Sequence, residues 1–136
     1  MPPFSLYYFT DKRNPSLQSS SETGRMISMM DTIQENEIFN LADKVDYQDG
    51  AFHPLVIDSN DKAEHVLMAV DKGVLIPDHK APSDLIFQAL EGEAVLHVGG
   101  KDLNVKKGDF LYLKEGTLHH LQAVTKFKFS MVRIYK

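Results

Sequence analysis

From Gly50 onward the chain is a succession of short apolar runs, each cut off by a turn, and this limits the fold more than any other feature. The runs lie near 55–57, 64–70, 73–78, 85–91, 93–98, 101–105, 109–113, 118–124 and 127–135. Such lengths are usual for strands and short for helices. The breaks carry turn chemistry. Asp71-Lys72-Gly73, Glu91-Gly92-Glu93, Lys107-Gly108-Asp109 and Glu115-Gly116-Thr117 supply glycine where positive φ is needed, and Gly99-Gly100 suits a two-residue hairpin. Phe127-Lys128-Phe129-Ser130-Met131 alternates with period two, as a half-buried strand does. No strong amphipathic helical pattern follows residue 50. The pattern predicts an all-β domain, a sandwich or a barrel.

The chain before this region reads differently. Asn14-Pro15-Ser16 and Ser19-Ser20-Ser21 are loop formers, and apolar periodicity fades after Phe9. Residues 1–30 are therefore expected to be an irregular N-terminal extension, either a flexible tail or a swapped arm in which Phe4–Phe9 adds a strand to a sheet edge. One of Met26, Met29 and Met30 is expected to be the natural start, with the part upstream a start-site misassignment. The folded domain is expected over 31–136, with Asp31–Lys44 readable as a short helix or a strand.

Composition excludes several chemistries. At 136 residues the chain has the size of one ordinary domain. Fifteen Lys and Arg against nineteen Asp and Glu give a net charge of −4, a poor match for nucleic-acid phosphates. There is no Cys, which removes disulfides, thiolate metal sites and Cys nucleophiles, and no Trp. Any metal must be held by the six His, by carboxylates or by amides. No apolar stretch approaches the ~18 residues of a membrane span, and the N-terminus lacks the basic start of a secretory signal. These features predict a cytoplasmic protein with neither nucleic-acid nor membrane partners. Gly-x-Gly-x-x-Gly and P-loop patterns are absent.

Two segments resemble the paired motifs of the cupin superfamily. Gly73 is followed by five residues, then His79, Lys80 and Ala81, and the segment closes at Leu90-Glu91-Gly92. Gly108 is followed by five residues, then Lys114-Glu115-Gly116, Thr117-Leu118 and His119. The spacings of Gly73, His79, Gly92, Gly108, Gly116 and His119 fit both motifs in order, over about 65–125. The resemblance implies a small single-domain, RmlC-like cupin. Its fold would be a double-stranded β-helix, or jelly-roll barrel, commonly paired as a homodimer.

In that family two His and a Glu of the first motif and one His of the second bind a divalent metal. Here the second His position is Ala81, the Glu position is Leu85, the Pro position of the second motif is Lys114 and its terminal Asn position is Ala123. The metal-ligand positions that carry over are His79 and His119, an incomplete set for one Fe, Mn, Ni or Zn ion. A third ligand would have to come from elsewhere. Asp84, Gln88 and Asp78 have the wrong parity in regular strands, and His65 starts another strand whose facing parity does not settle. Ala81, Leu85 and Phe87 would line the pocket with apolar surface, and His65 is a further pocket candidate or a hydrogen-bonded structural His. His97 and His120 are expected outside the barrel, His53 in a loop, and Asp84 and Glu115 as solvated loop carboxylates.

The expected function is a small-molecule-binding barrel centred on His79 and His119, with weak or no metal and no catalytic residue assigned. The alternative is a metal-dependent enzyme of dioxygenase or isomerase type acting on a small polar metabolite. A metal-free epimerase-type cupin with a His base is a third option.

Overall fold

A computed structural model describes residues 33–136. The expected extension over 1–30, with its arm Phe4–Phe9 and the start candidates Met26, Met29 and Met30, lies outside the described residues. Among the described residues no helix is long and apolar enough to cross a membrane. The Asp31–Lys44 stretch yields neither an α-helix nor a strand among its described residues but a 3-10 turn, Leu41–Lys44, capped by Asn40 Oδ1 accepting from the Ala42 N–H at 3.0 Å.

The described residues form nine strands: β1 Phe52–Ser59, β2 Ala63–Val70, β3 Leu75–Lys80, β4 Asp84–Glu91, β5 Glu93–Val98, β6 Lys101–Lys106, β7 Phe110–Leu113, β8 Leu118–Ala123 and β9 Phe127–Ile134. They make a five-stranded sheet in the order β1-β2-β9-β4-β7 and a four-stranded sheet in the order β3-β8-β5-β6, paired antiparallel throughout. His53 corrects the loop expectation, because it lies in β1. β1 is an edge strand, where Pro54 costs no central ladder bond.

The core follows from strand parity. Val66, Met68 and Val70 of β2 stand opposite Met131, Phe129 and Phe127 of β9, and Phe87 and Ala89 of β4 continue two of these rungs. The rings of Phe87, Phe127 and Phe129 pack with centroids 4.7–6.3 Å apart. Ala94, Leu96, Leu121 and Ala123 are buried on the four-stranded sheet. The opposite face of β2 is covered too. Leu67 and Ala69 pack with Val45, and Leu41, Tyr47, Leu55 and Leu90 surround them. Lys128 fixes this cover by donating from Nζ to the Ala42 carbonyl at 2.6 Å, and Tyr47 OH donates to Glu91 Oε2 at 2.6 Å. The unbroken run Val66–Val70 is apolar because β2 is buried on both faces.

The closing glycine of the first motif has a steric cause. Gly92 has φ +79°, and a Cβ there would fall on the Lys126 carbonyl. Only a residue without a side chain lets the β4–β5 turn pass beneath the turn before β9.

Candidate functional site

His79 on β3 and His119 on β8 are direct cross-strand partners. Their rings lie 4.2 Å apart, tilted by 59°, and both are buried. A register shift between Ile76 and His79 sets the phase of β3 and turns His79 to the inner face.

Both imidazoles are oriented by the same local device. His79 Nδ1–H donates to the Pro77 carbonyl and His119 Nδ1–H to the Thr117 carbonyl, each at 3.0 Å. A carbonyl only accepts, so Nδ1 carries the proton and Nε2 the lone pair of each neutral ring. Burial holds both rings below the ordinary His range, with His79 pushed down to about 4. The Arg133 guanidinium pushes both the same way.

Arg133 is the residue that sequence reasoning missed. On β9 it stands opposite Glu64 of β2 and Leu85 of β4, on the rung where the family places its acidic ligand. Its Nη1 lies 3.6 Å from Glu64 Oε1, and both side chains are essentially fully buried. Tyr135 OH also donates to Glu64 Oε1, at 3.1 Å. The signal was parity. Glu64 shares the phase of Val66 and Met68, and Arg133 that of Met131 and Phe129, so both charges point inward.

The remaining expected site residues separate into two groups. Leu85 and Phe87 lie buried on the inner face of β4, and Ala81 is buried just after β3, its backbone tied to Thr117 and Gly116. His65, by contrast, corrects the pocket expectation. It has the opposite phase from Glu64 and Val66, and its Nε2 bonds Ser130 Oγ at 2.8 Å on the outer face. Asp84 is no solvated loop carboxylate either. It opens β4, accepts from the Glu115 N–H and Tyr112 OH, and these bonds with Lys114 and Lys136 hold its pKa low. Gln88 is exposed on the outer face beside Ser130 and Phe110.

The donor set does not fit the divalent ion that the resemblance implies. A catalytic site of this kind keeps about three protein ligands. Ala81 and Leu85 offer none, and among the described residues no three His, Cys, Asp or Glu converge. A buried guanidinium beside the pair further disfavours a cation.

Two antiparallel sheets with a His pair on an inner wall define a jelly-roll barrel of the double-stranded β-helix class. The chain belongs to the cupin domain family, whose sequence profile matches residues 66–135. Solved structures agree. A cupin superfamily protein from Desulfitobacterium hafniense is 15% identical, with TM-score 0.73 over 77% of this chain and 96% of its own. A cupin 2 conserved barrel domain protein from Leptotrichia buccalis is 31% identical, with TM-score 0.67 over 71% of this chain and 47% of its own. A predicted oxalate decarboxylase from Thermotoga maritima is 27% identical, with TM-score 0.59 over 62% and 81%. No curated protein matches the sequence.

Proposed function

We propose that the protein is a small-molecule-binding cupin whose ligand is held against His79 and His119 without a metal ion between them. One observation carries this reading: two buried neutral imidazoles face a wall that offers aliphatic side chains and a guanidinium where further metal ligands would be required. The same chemistry narrows the ligand. His119 Nε2 is an acceptor, so the ligand brings a hydroxyl or N–H donor. Arg133 disfavours an ammonium or other cation, and Leu85 and Phe87 favour an apolar body. A neutral, partly apolar molecule with one or two donors meets these demands, and the role is sensing or sequestering such a metabolite. The enzyme reading draws support from the likeness to the predicted oxalate decarboxylase but needs a third donor to the metal. The protein is further read as a homodimer. Phe110 and Tyr112 of edge strand β7 and Ile134 of β9 are exposed large apolar residues on the outer face of the five-stranded sheet.

The test is native mass spectrometry of the tag-free chain exposed in turn to neutral sugars, polyols and aromatic alcohols. A saturable one-to-one adduct that disappears in His119→Ala is expected. Elemental analysis runs in parallel on the protein and on His79→Ala/His119→Ala. A transition metal near one per chain that is lost in this double variant would overturn the reading, and so would an adduct indifferent to His119→Ala.

A further inference from the structure

The four-stranded sheet carries a second His pair on its outer face, and the function proposed for the barrel does not use it. His120 of β8 and His97 of β5 are direct cross-strand partners. Their rings are nearly parallel, 7° apart in plane, with centroids separated by 4.7 Å. Each is oriented by a carboxylate from the next strand outward. Asp78 Oδ1 of β3 accepts from His120 Nδ1 at 2.7 Å, and Asp102 Oδ1 of β6 accepts from His97 Nδ1 at 2.6 Å. The order across the sheet is therefore Asp78, His120, His97, Asp102, on neighbouring strands. The imidazoles are about a third exposed and the carboxylates more than half.

We propose that His97 and His120 form a surface chelate for a late first-row divalent metal ion, with Asp78 and Asp102 as positioning residues. A carboxylate only accepts, so Nδ1 carries the proton, and in the neutral form of each ring Nε2 holds the lone pair. A carboxylate behind the far nitrogen is the usual support of a metal-bound His, because it fixes the tautomer and raises the basicity of the ligating nitrogen. With neutral rings the row carries two negative charges, which a divalent ion balances. The rings are nearly parallel, so an ion about 2.1 Å from each Nε2 requires both to tilt toward each other by tens of degrees about their side-chain torsions, a rotation that partly exposed rings and exposed carboxylates can make together. Among the described residues no third His, Cys, Asp or Glu joins the pair, so water completes the coordination shell. Two imidazoles and water suit copper(II), nickel(II) and zinc(II), in falling order of affinity for copper over the other two.

The experiment uses the tag-free full chain titrated calorimetrically with CuCl2, NiCl2 and ZnCl2. One ion per chain is expected, with copper tightest. His97→Ala and His120→Ala should each weaken binding by ten-fold or more. Asp78→Asn and Asp102→Asn should each weaken it by about ten-fold, in line with other supporting carboxylates. Copper(II) spin resonance should show two ligating nitrogens in the protein and one in His97→Ala, a signature that loss of folding would not produce. Saturable binding that is unchanged in the His97→Ala/His120→Ala variant would overturn the proposal, as would binding abolished by His79→Ala/His119→Ala instead. Absence of saturable binding by any of the three ions would also overturn it. These outcomes separate the outer site from the barrel, since the barrel reading is tested on His119→Ala and on the metal content of His79→Ala/His119→Ala, and neither variant alters the outer pair.

Discussion

The protein holds two cross-strand His pairs on opposite faces of one sheet, and their surroundings give them different chemistry. His79 and His119 are buried, tilted by 59° and oriented by backbone carbonyls two residues back along the chain. His97 and His120 are partly exposed, nearly parallel and oriented by carboxylates of flanking strands. A carbonyl fixes a tautomer and adds no full charge, whereas a carboxylate fixes the same tautomer and adds a negative one. The inner pair also has a guanidinium near it, and the outer pair is bracketed by two acids. The motif that resembles a metal site thus has the poorer electrostatics for a cation, and the pair outside the motif has the better. Spacing alone would assign them the other way round.

The largest effect that breaks this contrast comes from the charge behind the inner pair. Arg133→Met strips the guanidinium from a buried partnership with Glu64 and leaves the carboxylate in the interior. A loss of about 3–5 kcal/mol is expected for removing one partner of such a pair. Urea denaturation of the variant measures it. The double variant Glu64→Leu/Arg133→Met should recover most of the loss, because the cost lies in the stranded charge. A double variant as unstable as Arg133→Met would show that the pair supports the barrel through packing instead.

Acid provides the next test. The folded pKa of His79 lies below its ordinary value of 6.5, at about 4, so the unfolded chain binds the proton first. Its contribution is fully present above about pH 6.5 and is lost as the pH falls toward 4. The loss attributable to this ring is on the order of 3 kcal/mol, and His119 shifts in the same direction. Urea midpoints at neutral and at mildly acid pH should fall for the protein and fall less for His79→Gln. An equal fall in both would locate the acid sensitivity elsewhere.

Much of the barrel was legible in the sequence because turn residues and short runs mark strands locally. Gly92 closes the motif for a steric reason that a spacing rule already encodes. The hidden parts all involve parity. In β2 the run Val66–Val70 is apolar on both faces, so nothing in it told whether His65 or Glu64 points inward. The partner strand resolves this, since Glu64 meets Arg133 on the rung of Leu85. In β3 the register shift between Ile76 and His79 breaks simple alternation, and the strand begins at Leu75 and runs to Lys80, later than its apolar run suggests. The outer row Asp78-His120-His97-Asp102 draws on four strands, and no local pattern could have joined them.

The smallest effect sharpens the contrast most directly. His79→Ala removes a buried ring, its bond to the Pro77 carbonyl and its packing against His119, so a loss of about 1–3 kcal/mol is expected. His97→Ala removes a partly exposed ring whose link to Asp102 is an exposed surface contact, so the loss should stay below about 1 kcal/mol. Thermal melts of the two variants in metal-free buffer compare them side by side. Adding NiCl2 should then raise the midpoint of the protein and of His79→Ala but leave His97→Ala where it was, because only a folded state with both outer rings binds the ion. Similar metal-free losses in both variants would mean that the two faces of the sheet are energetically equivalent. The division between a sheltered inner pair and an open outer one would then lose its physical basis.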